Sequence, residues 1–265
     1  MDTAFDAILR QDRRRRMRTL GLTVALFLAV LLAFRATGLL DFARLREGAP
    51  SMLDLVKEML PPDFSELRTW WKPLLDTLTM SVAGTALSVC FSLPLAFLAA
   101  RNTTPHPIVY HAARSLLSAF RSVPELVLGI IFVAAVGFGA LPGVLALGLH
   151  SIGMVGKLFS EAIEHADREP IEAIEAAGAS RIQVYVHGVL GQVFPQLADV
   201  VVYRWEYNFR ASTILGTVGA GGIGFELIAS LRVMRYQEMF AIVLVVFAAV
   251  LMVDGLGAQL RKALR

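Results

Sequence analysis

Residues 77–100 form an unbroken run of 24 residues without a formal charge, and that run decides what the chain can fold into. A helix needs roughly 20 mainly apolar residues to cross the hydrocarbon core of a bilayer. Five further apolar stretches, residues 20–34, 119–138, 141–163, 194–215 and 240–257, repeat the signal. Hydrocarbon cannot hydrogen-bond a bare backbone, so the spans must be helices or the strands of a closed barrel, and the alternating pattern of a barrel is absent. The expected fold class is all-α, a polytopic membrane protein of about six transmembrane helices. Composition agrees, with 56% hydrophobic and 18% charged residues against about 25% charged in a soluble domain.

Charge sets an expected orientation. Arg10, Arg13, Arg14, Arg15, Arg16 and Arg18 precede the first apolar run as in a secretory signal, but no small-residue cleavage site follows. The segment therefore reads as a retained anchor with a cytoplasmic amino terminus. Six spans return the carboxyl terminus, with Arg261, Lys262 and Arg265, to the same side. The net charge of +3 encodes orientation and does not point to nucleic acid. Cys90, the single cysteine, lies within an apolar run and forms no intrachain disulfide. The chain divides on this reading into an amino-terminal anchor (1–40), an external loop (41–75) and a core (76–265). In the loop, Met52, Leu53, Leu55, Val56, Met59 and Leu60 recur at helical spacing before Pro61 and Pro62, which suits an interfacial helix or a plain connector. Trp70 and Trp71 stand where aromatic anchors belong.

The stretch 164–193, between the fourth and fifth spans, is polar and then amphipathic. Pro170 suits a first helical turn, Gly178 a left-handed helix stop, and Ser180 the cap of a second helix running toward Leu190. Two short helices meeting at a glycine corner on the cytoplasmic face form a docking element. Glu172, Ala173, Gly178 six positions after the glutamate, and Leu190 resemble the EAA loop of bacterial ABC-importer permeases, a pattern of E-A-A, three residues, G, nine residues and I-x-L-P. Ile174 departs from it at the third position, and Gly188 and Gly191 replace the isoleucine and proline. The resemblance implies a type I importer architecture. It also implies that the loop fits a groove on a separate ATPase, with coupling assigned to Glu172, Ala173, Gly178 and Leu190.

Two further segments, residues 121–125 (RSVPE) and 203–224 (YRWEYNFRASTILGTVGAGGIG), resemble phosphonate-transport permeases. Arg204, Glu206 and Arg210 lie in an apolar span, where each charge costs about 2.5–3.5 kcal/mol, so they must face protein or a wet pathway. Glu206 and Arg210, spaced i to i+4, are expected to pair. Arg204 then has Glu125 or an anionic substrate as its partner. Glu125 itself reads as a structural intramembrane polar residue beside a basic group, with Pro124 marking a kink or a first turn. Gly219, Gly221 and Gly224 spell G-x-G-x-x-G, but no strand precedes them. With Gly222 they suit a broken helix or re-entrant turn lining a pathway, or an external loop. The resemblance makes this segment part of the gate.

No phosphate-binding G-x-x-x-x-G-K-[ST] is present, no cofactor is implied, and ATP is expected to be hydrolysed by another chain. Two rival readings remain. In an ion-coupled carrier, Asp199, Glu206 or Glu226 would take protons. A membrane-embedded enzyme is disfavoured because His106, His111, His150, His165 and His187 form no H-E-x-x-H, and no G-x-S-x-G occurs. The family reading implies a non-catalytic permease of the bacterial inner membrane that carries phosphonate or a related phosphorus oxyanion. Its expected partners are the lipid bilayer, two ATPase subunits, a second permease copy and an external solute-binding protein.

Overall fold

The computed structural model describes residues 2–264, with side chains from Asp12 onward except Leu45. The chain divides into two units, Met1–Glu58 and Met59–Arg265. The first holds α1 (Asp2–Ala36) and α2 (Phe42–Glu58). Asp12–Ala36 of α1 is long and apolar enough to cross a membrane. Helix α2 starts ten residues before the periodicity at Met52 would place it. The Asp41 carboxylate accepts from the Arg44 backbone N–H at 3.1 Å and caps an earlier first turn, so the helix runs through Pro50.

The second unit contains α3 (Trp71–Ala99), α4 (Pro107–Ser122), α5 (Glu125–Val136), α6 (Ala140–Glu164), α7 (Arg168–Ala176), α8 (Arg181–Gln183), α9 (Gly191–Leu215), α10 (Ile223–Arg232) and α11 (Tyr236–Leu264). Helix α8 runs into α9 through a π-helical segment, Val184–Leu190. With α1, three of these (α3, α6 and α11) are long and apolar enough to span singly. Two bent pairs supply the rest. The α4–α5 pair turns by 81° and the Arg181–Ala220 run with α10 turns by 57°, for up to six spans in all among the described residues.

The span expected across residues 119–138, with a kink or first turn at Pro124, is corrected in its bounds: it is divided between the end of α4 and α5. Pro124 lacks a backbone N–H and forces Val123 out of the helical region, to φ −90° and ψ 121°. Trp70 is corrected as well: it is buried against Ile223, Ala241 and Ile242, and Trp71 alone stays exposed.

Helices α3 and α6 form the centre. Lipid is as apolar as leucine, so helix association here relies on close approach rather than on the hydrophobic effect. Beyond Met80, the buried face of α3 is accordingly small: Ser81, Gly84, Thr85, Ser88, Ser92, Ala96 and Ala99. A Cβ on Gly84 would lie 2.9 Å from the Leu147 Cβ, and one on Gly148 would lie 2.5 Å from Leu87 Cδ2. Gly153 and Gly156 of α6 admit α4 in the same way at Leu117. Below this seam Val155, Phe159, Ile163, Val189, Val193 and Leu197 close a core with Ala96 and Ala100.

At Gly153 the atoms that a Cβ would meet are backbone, the Leu117 oxygen at 2.5 Å and the Arg121 nitrogen at 2.8 Å. They cannot turn aside, so Gly153→Val is expected to cost about 1–3 kcal/mol. Thermal unfolding in detergent checks this, with a lowered midpoint expected and an unchanged one contradicting the packing.

Candidate coupling loop and intramembrane polar site

The loop folds as its residues dictate. Helix α7 ends where Gly178 takes φ +80°, a conformation that favours glycine, and the Gly178 and Ala179 N–H groups donate to the carbonyls of Glu175 and Ile174. Ser180 then opens α8, with Gln183 Oε1 accepting from the Ser180 N–H at 2.8 Å in a capping box. Glu172, Ala173 and Gly178 are exposed on the outer side. Leu190 is half-buried against the Phe159 and Val193 core. Gly188 is buried under Ile171 and Ile174, which explains a small residue there.

Polar ties lock the hairpin to the spans. The Tyr185 hydroxyl donates to the Thr103 carbonyl at 3.0 Å. Gln192 donates to the carbonyls of Gly188 and Asp167 and accepts from the Asp167 N–H. Glu164, at the end of α6, accepts from the Arg101 N–H at 2.9 Å and from Arg114 at 3.3 Å on both oxygens. The Tyr110 hydroxyl, and then the Glu164 carboxylate, push the Arg101 guanidinium above its already high ordinary pKa. Between these ties lies a cavity of about 710 Å³ bordered by Arg101, Glu164, Arg168, Glu172 and Tyr185.

Deeper in the second unit, a chain of buried polar side chains joins α3, α6, α9 and α5. Asn208 donates to Thr85 Oγ1 at 2.9 Å and accepts from the Ser151 hydroxyl at 3.1 Å. Arg204 Nε donates to Ser151 Oγ at 2.8 Å, and the guanidinium lies 4.2 Å over the Tyr207 ring. Tyr207 donates to Glu125 Oε1 at 3.1 Å, and His150 Nδ1 meets the Val123 carbonyl at 3.0 Å. Arg204 is only 3% exposed. Its facing carboxylate is Glu125, at 3.9 Å.

The expected pairing of Glu206 with Arg210 does not form. Glu206 accepts from Arg261 of α11 at 2.8 Å, and Arg210 meets Asp254 of α11 at 3.2 Å. Both glutamate and arginine of α9 reach across to the neighbouring helix, where a partner also relieves burial; a pair along one helix would leave Arg261 and Asp254 unmatched. Thr85, His150, Ser151, Tyr207 and Asn208 belong to the polar chain and were not singled out from sequence. For Thr85 and Ser151 the signal is only a hydroxyl inside an apolar run, a weak one because serine and threonine satisfy themselves within a helix. Among the described residues no three His, Cys, Asp or Glu side chains converge as a metal site.

The glycine segment is a broken helix. Gly219, Gly221 and Gly222 take φ +103°, +75° and +72°, and the break is held inside the fold. The Gly139 N–H donates to the Gly219 carbonyl, and Thr77 Oγ1 accepts from the Ile223 N–H at 2.9 Å. A Cβ on Gly224 would collide with the Thr213 carbonyl.

Helical spans without strands among the described residues, two of them broken, and an exposed hairpin define a multi-pass helical membrane protein. Residues 92–265 match the family described as the binding-protein-dependent transport system inner membrane component, and the chain belongs to that family. It is 64% identical to the phosphite transport system permease protein PtxC of Stutzerimonas stutzeri over 92% of this chain and 89% of that one. It is 42% identical to the phosphate-import permease protein PhnE of Mycolicibacterium smegmatis over 82% of this chain and 41% of that one. The fold is that of an importer permease. A chain of the inward-facing MetNI methionine ABC transporter superposes with TM-score 0.66 at 18% identity, covering 77% of this chain and 99% of that chain. The carrier and enzyme readings fall with the family.

Glu206→Gln removes a charge from a carboxylate whose side chain is 8% exposed and leaves Arg261 without its partner. We expect a loss of about 1.5–3 kcal/mol, read as a lower melting midpoint in detergent; an unchanged midpoint would show that the α9–α11 tie carries no stability.

Proposed function

We propose that this permease forms the pathway for phosphite, phosphonate or a closely related phosphorus oxyanion, and that a separate ATPase docks on its hairpin. The observation that carries the coupling is the hairpin itself. Its outer residues Glu172, Ala173 and Gly178 are exposed, while its inner side is tied to α3, α6 and α9. An element free outward and locked inward receives force and passes it on. The substrate class rests on the 64% identical phosphite permease, whose match spans most of both chains.

On this reading two ATPase subunits sit at the cytoplasmic side with both chain termini, and a solute-binding protein delivers the oxyanion from outside. The pathway residues are Arg204, Glu206, Arg210 and the glycines Gly219, Gly221, Gly222 and Gly224, with Glu125 holding Arg204 in the resting state. A second copy of the permease completes the pathway. Arg210 and Asp254 lie on spans yet are 45% and 41% exposed, and lipid there would cost about 2.5–3.5 kcal/mol for each charge. A facing copy, or the wet pathway between two copies, removes that cost.

Gly178→Asp places a side chain at φ +80° and is expected to leave the spans inserted while separating ATP hydrolysis from uptake. In proteoliposomes containing the whole transporter, the oxyanion carried per ATP should fall several-fold; an unchanged ratio would remove the coupling role. Arg204→Ala should lower phosphite uptake in a strain lacking the native chain more than it lowers permease abundance. Equal losses would make Arg204 purely structural.

A further inference from the structure

The carboxylate of Glu125 occupies a seat that is wider than itself. Tyr207 donates to Oε1 at 3.1 Å, but Oε2 stands 3.9 Å from Arg204 Nη2 and 3.8 Å from His150 Nε2. Neither distance is a hydrogen bond. Glu125 Oε2 and Arg204 Nη2 are both buried, and neither has a hydrogen-bond partner. An unmatched donor and an unmatched acceptor facing each other in a low-dielectric interior is costly, and a larger group bearing more oxygens, in place of the carboxylate, would accept from Arg204 Nη2 and from the Tyr207 hydroxyl together.

The two partners are not equally fixed. Arg204 is pinned, with Nε on Ser151 and its plane on the Tyr207 ring, and its side chain is 4% exposed. Glu125 is the first residue of α5, directly after the 81° break, and its side chain is 19% exposed. The carboxylate is therefore the partner that can leave.

We propose that Glu125 is a displaceable occupant of an oxyanion seat, and that a tetrahedral phosphorus oxyanion takes its place against Arg204 Nη2 and the Tyr207 hydroxyl. This rests on the permease reading above and adds to it where the substrate is held within the spans and what keeps that place filled between cycles. His150 narrows the ligand. Its Nδ1 donates to the Val123 carbonyl and Nε2 faces the seat; in the tautomer with its single hydrogen on Nδ1, Nε2 is an acceptor. A phosphorus oxyanion that retains a P–OH group can donate to it. Sulfate, fully deprotonated at neutral pH, cannot. No bond is made or broken and no proton changes hands; one anion exchanges for another.

The test is binding of radiolabelled phosphite to the permease co-purified with its ATPase in lipid nanodiscs, without the binding protein. An occupant that fills the seat about nine-tenths of the time lowers apparent affinity about tenfold. Glu125→Gln keeps the shape without the charge, and should raise the affinity by about that factor. Glu125→Asp, which retains the charge with a shorter reach, should shift it the same way by less and decides the matter if the glutamine variant fails to co-purify. Arg204→Gln or Tyr207→Phe added to Glu125→Gln should reverse the gain, and excess phosphate but not sulfate should compete. Variants that co-purify normally yet bind phosphite no tighter than the parent chain would overturn the seat, and sulfate competing as well as phosphate would overturn the role of His150. Uptake of phosphite by the whole transporter alongside such a result would leave the permease reading intact. Absence of uptake of any phosphorus oxyanion would instead remove that reading.

Discussion

Hydrocarbon supplies no hydrogen bonds, and every polar group that enters it must find its partner inside the protein. The second unit meets that demand in four ways, leaving Glu125 Oε2, Arg204 Nη2 and Trp205 Nε1 as buried exceptions. Ser81, Thr85 and Ser88 return their hydroxyls to carbonyls of their own helix, so the small face that lets α6 approach α3 is polar by composition and satisfied in fact. Ser92 crosses to the Ile152 carbonyl at 3.1 Å and ties the same two helices. Arg204, a charge deep in a span, is held by a chain through Ser151 and Asn208 to Thr85, so its position is set by three helices. Where the backbone itself breaks, at residues 219–222, groups from the α5–α6 connection and from α3 take up the freed bonds.

One continuous run joins the hairpin to that break. From Arg181 the chain passes through the π-helical segment Val184–Leu190, along α9 past Arg204, and into a second π-helical segment, Gly216–Ala220, before the glycine turn. The outer end of this run is exposed and its inner end lies against α3 and the α5–α6 connection. A push on the hairpin thus acts on the helix that bears the buried guanidinium and ends at the broken segment. Tyr185 ties this run to the Thr103 carbonyl ahead of α4, and Gln192 ties it to the Asp167 carbonyl at the head of α7.

Hydropathy alone located six apolar stretches and the all-α class, because span length is fixed by the bilayer and not by neighbours. The hairpin was equally legible, since Gly178, Ser180 and Gln183 act locally on backbone conformation. Pairing of charges was not. Glu206 and Arg210 are correctly spaced along one helix, yet each finds a partner on α11, a choice made by tertiary packing that no local rule contains. The 81° turn at Pro124 was visible as a kink but not in size, because the angle depends on what α5 packs against. His150 looked like one more scattered histidine until the fold set it beside Glu125. Trp70 was misplaced for a similar reason: an aromatic at a span boundary can face lipid headgroups or a neighbouring helix, and here it takes the second course.

The account depends most on the hairpin facing the cytosol and being covered by the ATPase. Ala173, exposed on α7, replaced by cysteine in a chain whose only cysteine, Cys90, has been changed to alanine, reports both. In inside-out membrane vesicles a membrane-impermeant maleimide should label Ala173→Cys rapidly when the permease is alone, and labelling should fall sharply when the ATPase is present. Labelling only in right-side-out preparations, or at one rate with and without the ATPase, would contradict the account.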